Sequence, residues 1–295
     1  MKKGPLIYIV LAGMLWGSSG VFSNLLSPYG FSSLQLTATR GIVSGLAIAL
    51  YVLIFNPKLF RVTGKQLLLH VVAGVAVFCT AFSYYTAIRT SSVSTAAVLM
   101  NTCPAFVMAY SVAFLGEKLG KKKLFSLIAM LVGCMLVSGI VSGLTFSFWG
   151  IVWGLGSGML YSVYCILSKV EAMHGYSTLT ATLYHFITMG VVGLFFLDLP
   201  TYLPAVERST AFTVPMLIAM GLCTCVIPYF LFSLSLKSVP AGVASALGIV
   251  EPVAATLYSV IFFREQLSLP MVIGIVLVLG SCLVIGTEKE EKVKA

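Results

Sequence analysis

Charge is what this chain has least of. Only 9% of its 295 residues are Asp, Glu, Lys or Arg, while 59% are hydrophobic. A soluble domain carries about 25% charged residues, so no stretch here is polar enough to make a separate water-exposed domain. Histidine is scarce, with three in the chain, and none stands in a His-Glu-x-x-His run. A Gly-x-Ser-x-Gly run and a glycine-rich phosphate-cradling loop are missing as well. These absences speak against a membrane-embedded hydrolase and against direct use of ATP. The seven cysteines all fall inside apolar runs, and none has zinc-ligand spacing with a histidine partner. They are expected to be small buried hydrophobes, with Cys223 and Cys225 pointing to different sides of a helix. No metal site and no cofactor are expected.

What the chain has in abundance is long apolar sequence, at a mean hydropathy of +1.04. Ten runs are long enough, or nearly so, to cross a bilayer: 5–26, 34–55, 66–87, 92–115, 122–141, 148–169, 178–197, 213–234, 240–263 and 270–286. The expected class is an all-α integral membrane protein with ten transmembrane helices. The first run follows Met1-Lys2-Lys3-Gly4 and reaches Leu26 with no small-x-small cleavage site, so it reads as an uncleaved first span. The longest connection, residues 198–212, follows span seven.

The net charge of +9 invites a nucleic-acid partner, but the placement of the basic residues argues otherwise. With the N-terminus cytoplasmic, fourteen Lys and Arg fall on cytoplasmic segments and three (Arg89, Arg208, Arg264) on outer ones. That bias fixes both termini inside and gives the charge anionic lipid headgroups as its partner.

The chain repeats itself. Gly13-Met14-Leu15-Trp16 matches Gly158-Met159-Leu160-Tyr161, and at the same offset of 145 Gly30 meets Gly175 and Ser32 meets Ser177. Further on the offset is 148: Pro104 meets Pro252, Tyr110-Ser111-Val112 meets Tyr258-Ser259-Val260, and Glu117 meets Glu265. The expected division is 1–141, 148–286 and a short charged tail, 287–295. Each repeat holds five spans, an odd number, so the two must be inserted in opposite directions. Inverted five-helix repeats are an architecture of secondary transporters, with sites near the midplane between the repeats.

The candidate site residues follow from what is costly in hydrocarbon. Glu251 sits near the middle of the ninth run, and a charge there is a functional-site hypothesis by default. Pro252, next to it, removes a backbone donor and is expected to kink or open the helix; Pro104 is its counterpart in span four. Both are expected to act as gating elements. Glu251 could carry a proton or hold a cationic group, or a protonated carboxyl could merely fix packing. Arg40, about two turns inside span two, could bind a substrate carboxylate or bond helix-end carbonyls. Its repeat counterpart, His185, could relay protons or be a satisfied polar contact. His70 and His174 are expected to be ordinary residues near span ends. Asn101 needs partners, from another helix or a ligand. Trp16, Tyr84, Tyr85, Tyr161, Tyr164 and Tyr229 could wall an aromatic cavity, and Tyr84 and Tyr85 could instead belong to an outer interfacial belt. The spacings Gly13-x-x-x-Gly17, Gly41-x-x-x-Gly45 and Gly154-x-x-x-Gly158 permit close helix approach.

These residues together resemble the drug/metabolite transporter superfamily in its ten-helix EamA branch, over about residues 5–286. The resemblance rests on Trp16-Gly17-Ser18-Ser19 in span one and Arg40 in span two. In span four it rests on residues 91–97, Pro104 and Gly116-Glu117-Lys118. In span nine the matching features are Pro240 to Ser245, Glu251-Pro252 and Arg264-Glu265. The chain departs from the pattern at Asn24, where a basic residue is common, at Tyr161 for tryptophan, and at Arg264 for glycine. The resemblance implies export or exchange of small metabolites, amino acids and their relatives among them, with export expected. Protons, through Glu251, are a candidate coupling ion, and uncoupled facilitated movement is the alternative. A non-transporting sensor or scaffold is the alternative from another class, and a membrane-embedded enzyme a more remote one.

Overall fold

A computed structural model describes residues 3–114, 120–137, 147–236 and 250–287. Among these residues the chain is helical with no strand, the solution open to a chain that must satisfy its backbone polar groups without water. The helices are α1 (Lys3–Gly17), α2 (Ser19–Leu26), α3 (Ser33–Phe55), α4 (Gly64–Thr90), α5 (Val93–Met100), α6 (Cys103–Phe114) and α7 (Lys121–Val137). The second half adds α8 (Phe148–Met173), α9 (Thr178–Phe196), α10 (Leu199–Glu207), α11 (Thr210–Gly221), α12 (Ile227–Leu236), α13 (Val250–Phe263) and α14 (Leu269–Thr287). Six helical segments are long and apolar enough to cross a membrane, and four shorter apolar ones accompany them. Each falls on one of the ten apolar runs.

The helix ends follow from local chemistry. Ser32 and Thr63 start α3 and α4 through capping boxes with Gln35 and Gln66, and the Ser177 side chain accepts from Thr180 N–H at the start of α9. Gly30 and Gly175 both have positive φ, +92° and +71°, which glycine adopts without steric cost. They are repeat mates, and each leads through a short turn to a serine N-cap. The sequence repeat is therefore also a repeat of backbone conformation.

Span one is two helices, interrupted at Ser18, where the Ser18 and Ser19 hydroxyls donate to Leu15 O and Trp16 O. Span four breaks at Asn101-Thr102, just before Pro104, as the proline implied. Pro252 lies in the first turn of α13; the chain it would kink, and the expectations on Gly116 to Lys118 and Pro240 to Ser245, lie outside the described residues. The 198–212 connection differs from a plain loop, because Asp198-Leu199-Pro200 starts the short helix α10. Gln35 and Thr39 tie α10 down, by bonds to Thr201 and the Tyr202 hydroxyl.

The most extensive helix contacts cross between the halves: α3 with α9, α4 with α8 and α9, α7 with α14, α1 with α12 and α13, and α5 with α8. They come as two-fold mates. Exchanging the repeats turns α4·α8 into α12·α1 and α6·α8 into α13·α1, and maps α3·α9 and α7·α14 onto themselves. The glycine pairs make these contacts possible. A Cβ at Gly17 would stand 2.8 Å from Glu251 O, one at Gly45 2.8 Å from Phe186 O, and one at Gly158 3.0 Å from Met100 O. All three small-residue spacings thus serve the seam between repeats, where van der Waals contact replaces the hydrophobic drive lost in lipid.

Candidate functional site

A small cavity of about 60 Å³ opens within this seam, well below the roughly 300–1,000 Å³ of a fully open small-molecule site. Trp16, Arg40, Tyr84, Tyr161, Tyr229 and Glu251 line it, together with Ser19, Thr80 and the apolar Val77, Ala81 and Met100. Six of the expected site residues therefore meet on one wall, contributed by α1, α3, α4, α8, α12 and α13. Trp16 packs edge-on to Tyr229 at 5.3 Å between centroids, and Tyr229 is in turn edge-on to Phe186 at 5.2 Å. Tyr84 is buried, with Tyr85 behind it at 5 and 0% exposure, so neither belongs to an interfacial belt.

The position of Arg40 is built from both repeats. In span eight, Pro228 lacks the N–H that an α-helix would aim at Thr224 O, and its ring crowds that carbonyl. The chain responds with one π-helical turn, Leu222–Val226, closed by Ile227 N–H onto Leu222 O. Arg40 Nη2 donates to the Thr224 carbonyl at 3.0 Å, and Nε donates to Cys225 Sγ at 2.8 Å. The guanidinium also lies 6.0 Å from the centre of the Tyr85 ring. Cys225 is thus a hydrogen-bond acceptor as well as a buried small side chain. Such π turns cluster at functional sites.

Glu251 lies near the start of the described part of α13, beside Pro252. It makes no hydrogen bond or salt bridge with Arg40, whose bonds go to Thr224 and Cys225. One cavity therefore presents a guanidinium and a carboxyl group among aromatic walls.

Three expected residues stand off this wall. Asn101 Nδ2 donates to Ala97 O at 2.9 Å, at the break in span four. Tyr164 stacks on Tyr161 at 5.7 Å and forms a second layer. His185 is buried behind Tyr164 and donates to, or accepts from, Glu171 Oε1 at 2.9 Å. Pro252 is not among the residues that line the cavity; the side chain of Pro104 lies outside the described residues. His70, expected to be ordinary, is fully buried and lies 2.7 Å from the same Glu171 oxygen. Glu171, just past the expected end of span six, is also buried: α8 runs on to Met173 and carries it inward, 3% exposed. Sequence spacing hid this cluster, since His70 and Glu171 are 101 residues apart.

The two-repeat helical frame and a polar cavity in its seam define a multi-pass membrane protein of the transporter class. The chain belongs to the EamA-like transporter family, whose model matches residues 3–139 and 148–287. It is similar to an uncharacterized transporter of Archaeoglobus fulgidus, 31% identical over 94% of each chain. It also resembles the uncharacterized transporter YwfM of Bacillus subtilis, 25% identical over 95% of this chain and 92% of that one. The uncharacterized inner membrane transporter YicL of Salmonella typhimurium is 25% identical over 100 and 98%. A solved crystal structure shares the fold at a TM-score of 0.63 and 16% identity, covering 96% of both chains.

Proposed function

We propose that the protein is a secondary carrier that moves an α-amino acid or close relative across the cytoplasmic membrane, outward in the physiological direction, by alternating access of the seam cavity. The observation that carries this reading is that Arg40 and Glu251, groups of opposite charge, line one aromatic-walled cavity. A guanidinium held by two bonds to span eight is preorganised for a carboxylate. A carboxylate beside it suits an ammonium group, and the faces of Trp16 and Tyr229 suit an apolar or aromatic side chain. Family membership and the transporter relatives support a carrier in preference to an enzyme. Glu251 is also the group through which protons would couple to cargo.

The test is flux. Purified protein in liposomes should exchange radiolabelled amino acids, and the same amino acids esterified or N-acetylated should not compete. Arg40→Gln and Glu251→Gln should each lower transport at least tenfold at equal protein content. Transport of neutral solutes alone, or undiminished amino-acid exchange by both variants, would refute the assignment.

A further inference from the structure

The His70–Glu171–His185 cluster lies outside the cavity and is not used by the carrier reading. Its three residues come from three helices: His70 from α4 of the first repeat, Glu171 from the end of α8, and His185 from α9 of the second. All three are buried, at 0, 3 and 3% exposure. His70 Nδ1 and His185 Nε2 converge on a single oxygen, Glu171 Oε1, at 2.7 and 2.9 Å. Three donor atoms, one from each residue, lie within 4.8 Å of one another. Tyr184 stacks face to face on His70 at 5.8 Å, and its hydroxyl donates to Phe60 O, so that ring orientation is braced. Tyr164 closes the His185 side edge-on at 5.5 Å.

We infer that this cluster is a binding site for a divalent transition metal of the zinc class, joining the two repeats at the expected cytoplasmic end of the seam. Two imidazole nitrogens and one carboxylate oxygen are the donor set of three-ligand zinc sites, which leave a fourth position open. Zinc bonds of about 2.0–2.1 Å in tetrahedral array put donor atoms roughly 3.3 Å apart. The present N···O separations of 2.7 and 2.9 Å therefore need only a small outward movement of the rings. His70 Nε2 has no partner among the described residues, so while the site holds no metal the ring's proton belongs on Nδ1, facing Glu171. That proton is the one a metal displaces. The inference does not depend on which solute the cavity carries.

The experiment uses the full-length protein in detergent, its affinity tag removed, stripped with EDTA and titrated with Co2+ and with Zn2+. Binding of one metal per chain is expected, with the visible absorption of tetrahedral cobalt and a raised melting temperature. His70→Gln and His185→Gln should each weaken binding by at least the 10–100-fold seen for lost outer-shell partners. Glu171→Gln should weaken it while keeping a hydrogen-bond acceptor, and His174→Gln, at an exposed histidine, should leave it unchanged. Equal elution and melting of the metal-free variants and the wild type guard against misfolding as the cause. Wild type that takes up no metal, or equal affinity in the His70→Gln/His185→Gln double variant, would overturn the inference and leave a hydrogen-bonded triad.

Discussion

Replacing Arg40 with lysine keeps the charge and discards the fork. The lysine ammonium is a single point of donation on a flexible stem, and it cannot reproduce the bonds that Nε and Nη2 make to Cys225 Sγ and Thr224 O. Thr224 is buried, and Pro228 offers its carbonyl no backbone donor. A buried polar group left without its partner costs about 1–3 kcal/mol, so Arg40→Lys should lower the unfolding free energy in mixed micelles by that amount. The proline supplies the control. In a Pro228→Ala background the restored N–H can satisfy the span-eight carbonyl, and the same Arg40→Lys change should cost about 1 kcal/mol less. Coupling of that size is readable in a double-mutant cycle, where neighbouring groups interact by roughly 0.5–3 kcal/mol. An equal cost in both backgrounds would show that Arg40 does not serve the carbonyl exposed at the π turn, and the account of how the cavity cation is held would fail.

Two backbone positions give further tests. Gly17→Ala would set a Cβ 2.8 Å from Glu251 O and 2.9 Å from Ala255 N. Main-chain atoms cannot yield as a side-chain tip does, so a loss of about 1–3 kcal/mol is expected, along with weaker substrate binding as α13 shifts. Gly156→Ala, with nothing within 4 Å, should hold or slightly raise the melting temperature, because alanine is the better helix former, and leave binding unchanged; a comparable loss there would show that the Gly17 effect is not one of close contact. Arg264 has φ of +54°, a conformation that costs an L-residue roughly 1–2 kcal/mol. Arg264→Gly should therefore raise the melting temperature, and a fall would mean that the exposed arginine side chain contributes more than its backbone strain costs.

The frame was legible in the sequence because its signals are continuous. Apolar length marks a span, and two glycines 145 residues apart, Gly30 and Gly175, adopt left-handed φ where the repeat places them. Within the site, Glu251 and Arg40 were legible for the same reason: a charge inside an apolar run has no solvent and must have a use. Spacing alone could not separate Trp16, Tyr84, Tyr161 and Tyr229, which face the cavity, from Tyr164 and Tyr85, which stand behind it, since helical rotation decides the matter. The π turn in span eight carried a faint signal in Pro228. The histidine cluster carried less. His70 and Glu171 lie near run ends, where polar residues are common, and only the folding of α4 against α8 and α9 shows that they are buried together.

The repeats share a backbone plan but not a charge plan. Trp16 and its mate Tyr161 both reach the cavity, so the aromatic wall is duplicated across the pseudo-two-fold. The charged positions are not. Arg40 faces the cavity, whereas its mate His185 turns to Glu171. Glu251 faces the cavity, whereas its mate in the first repeat is Cys103, a buried thiol. Each repeat thus contributes one charge of opposite sign, and the symmetry that would have paired two arginines or two acids is broken. Two like charges would suit a symmetric or singly charged ligand and repel each other in low dielectric. One of each gives the cavity a fixed polarity, so the zwitterionic cargo proposed above would be held in a single orientation with its side chain against the shared aromatic wall. Under the proposed alternating access, a cargo bound one way round would need no reorientation as the seam opened first to one side and then to the other.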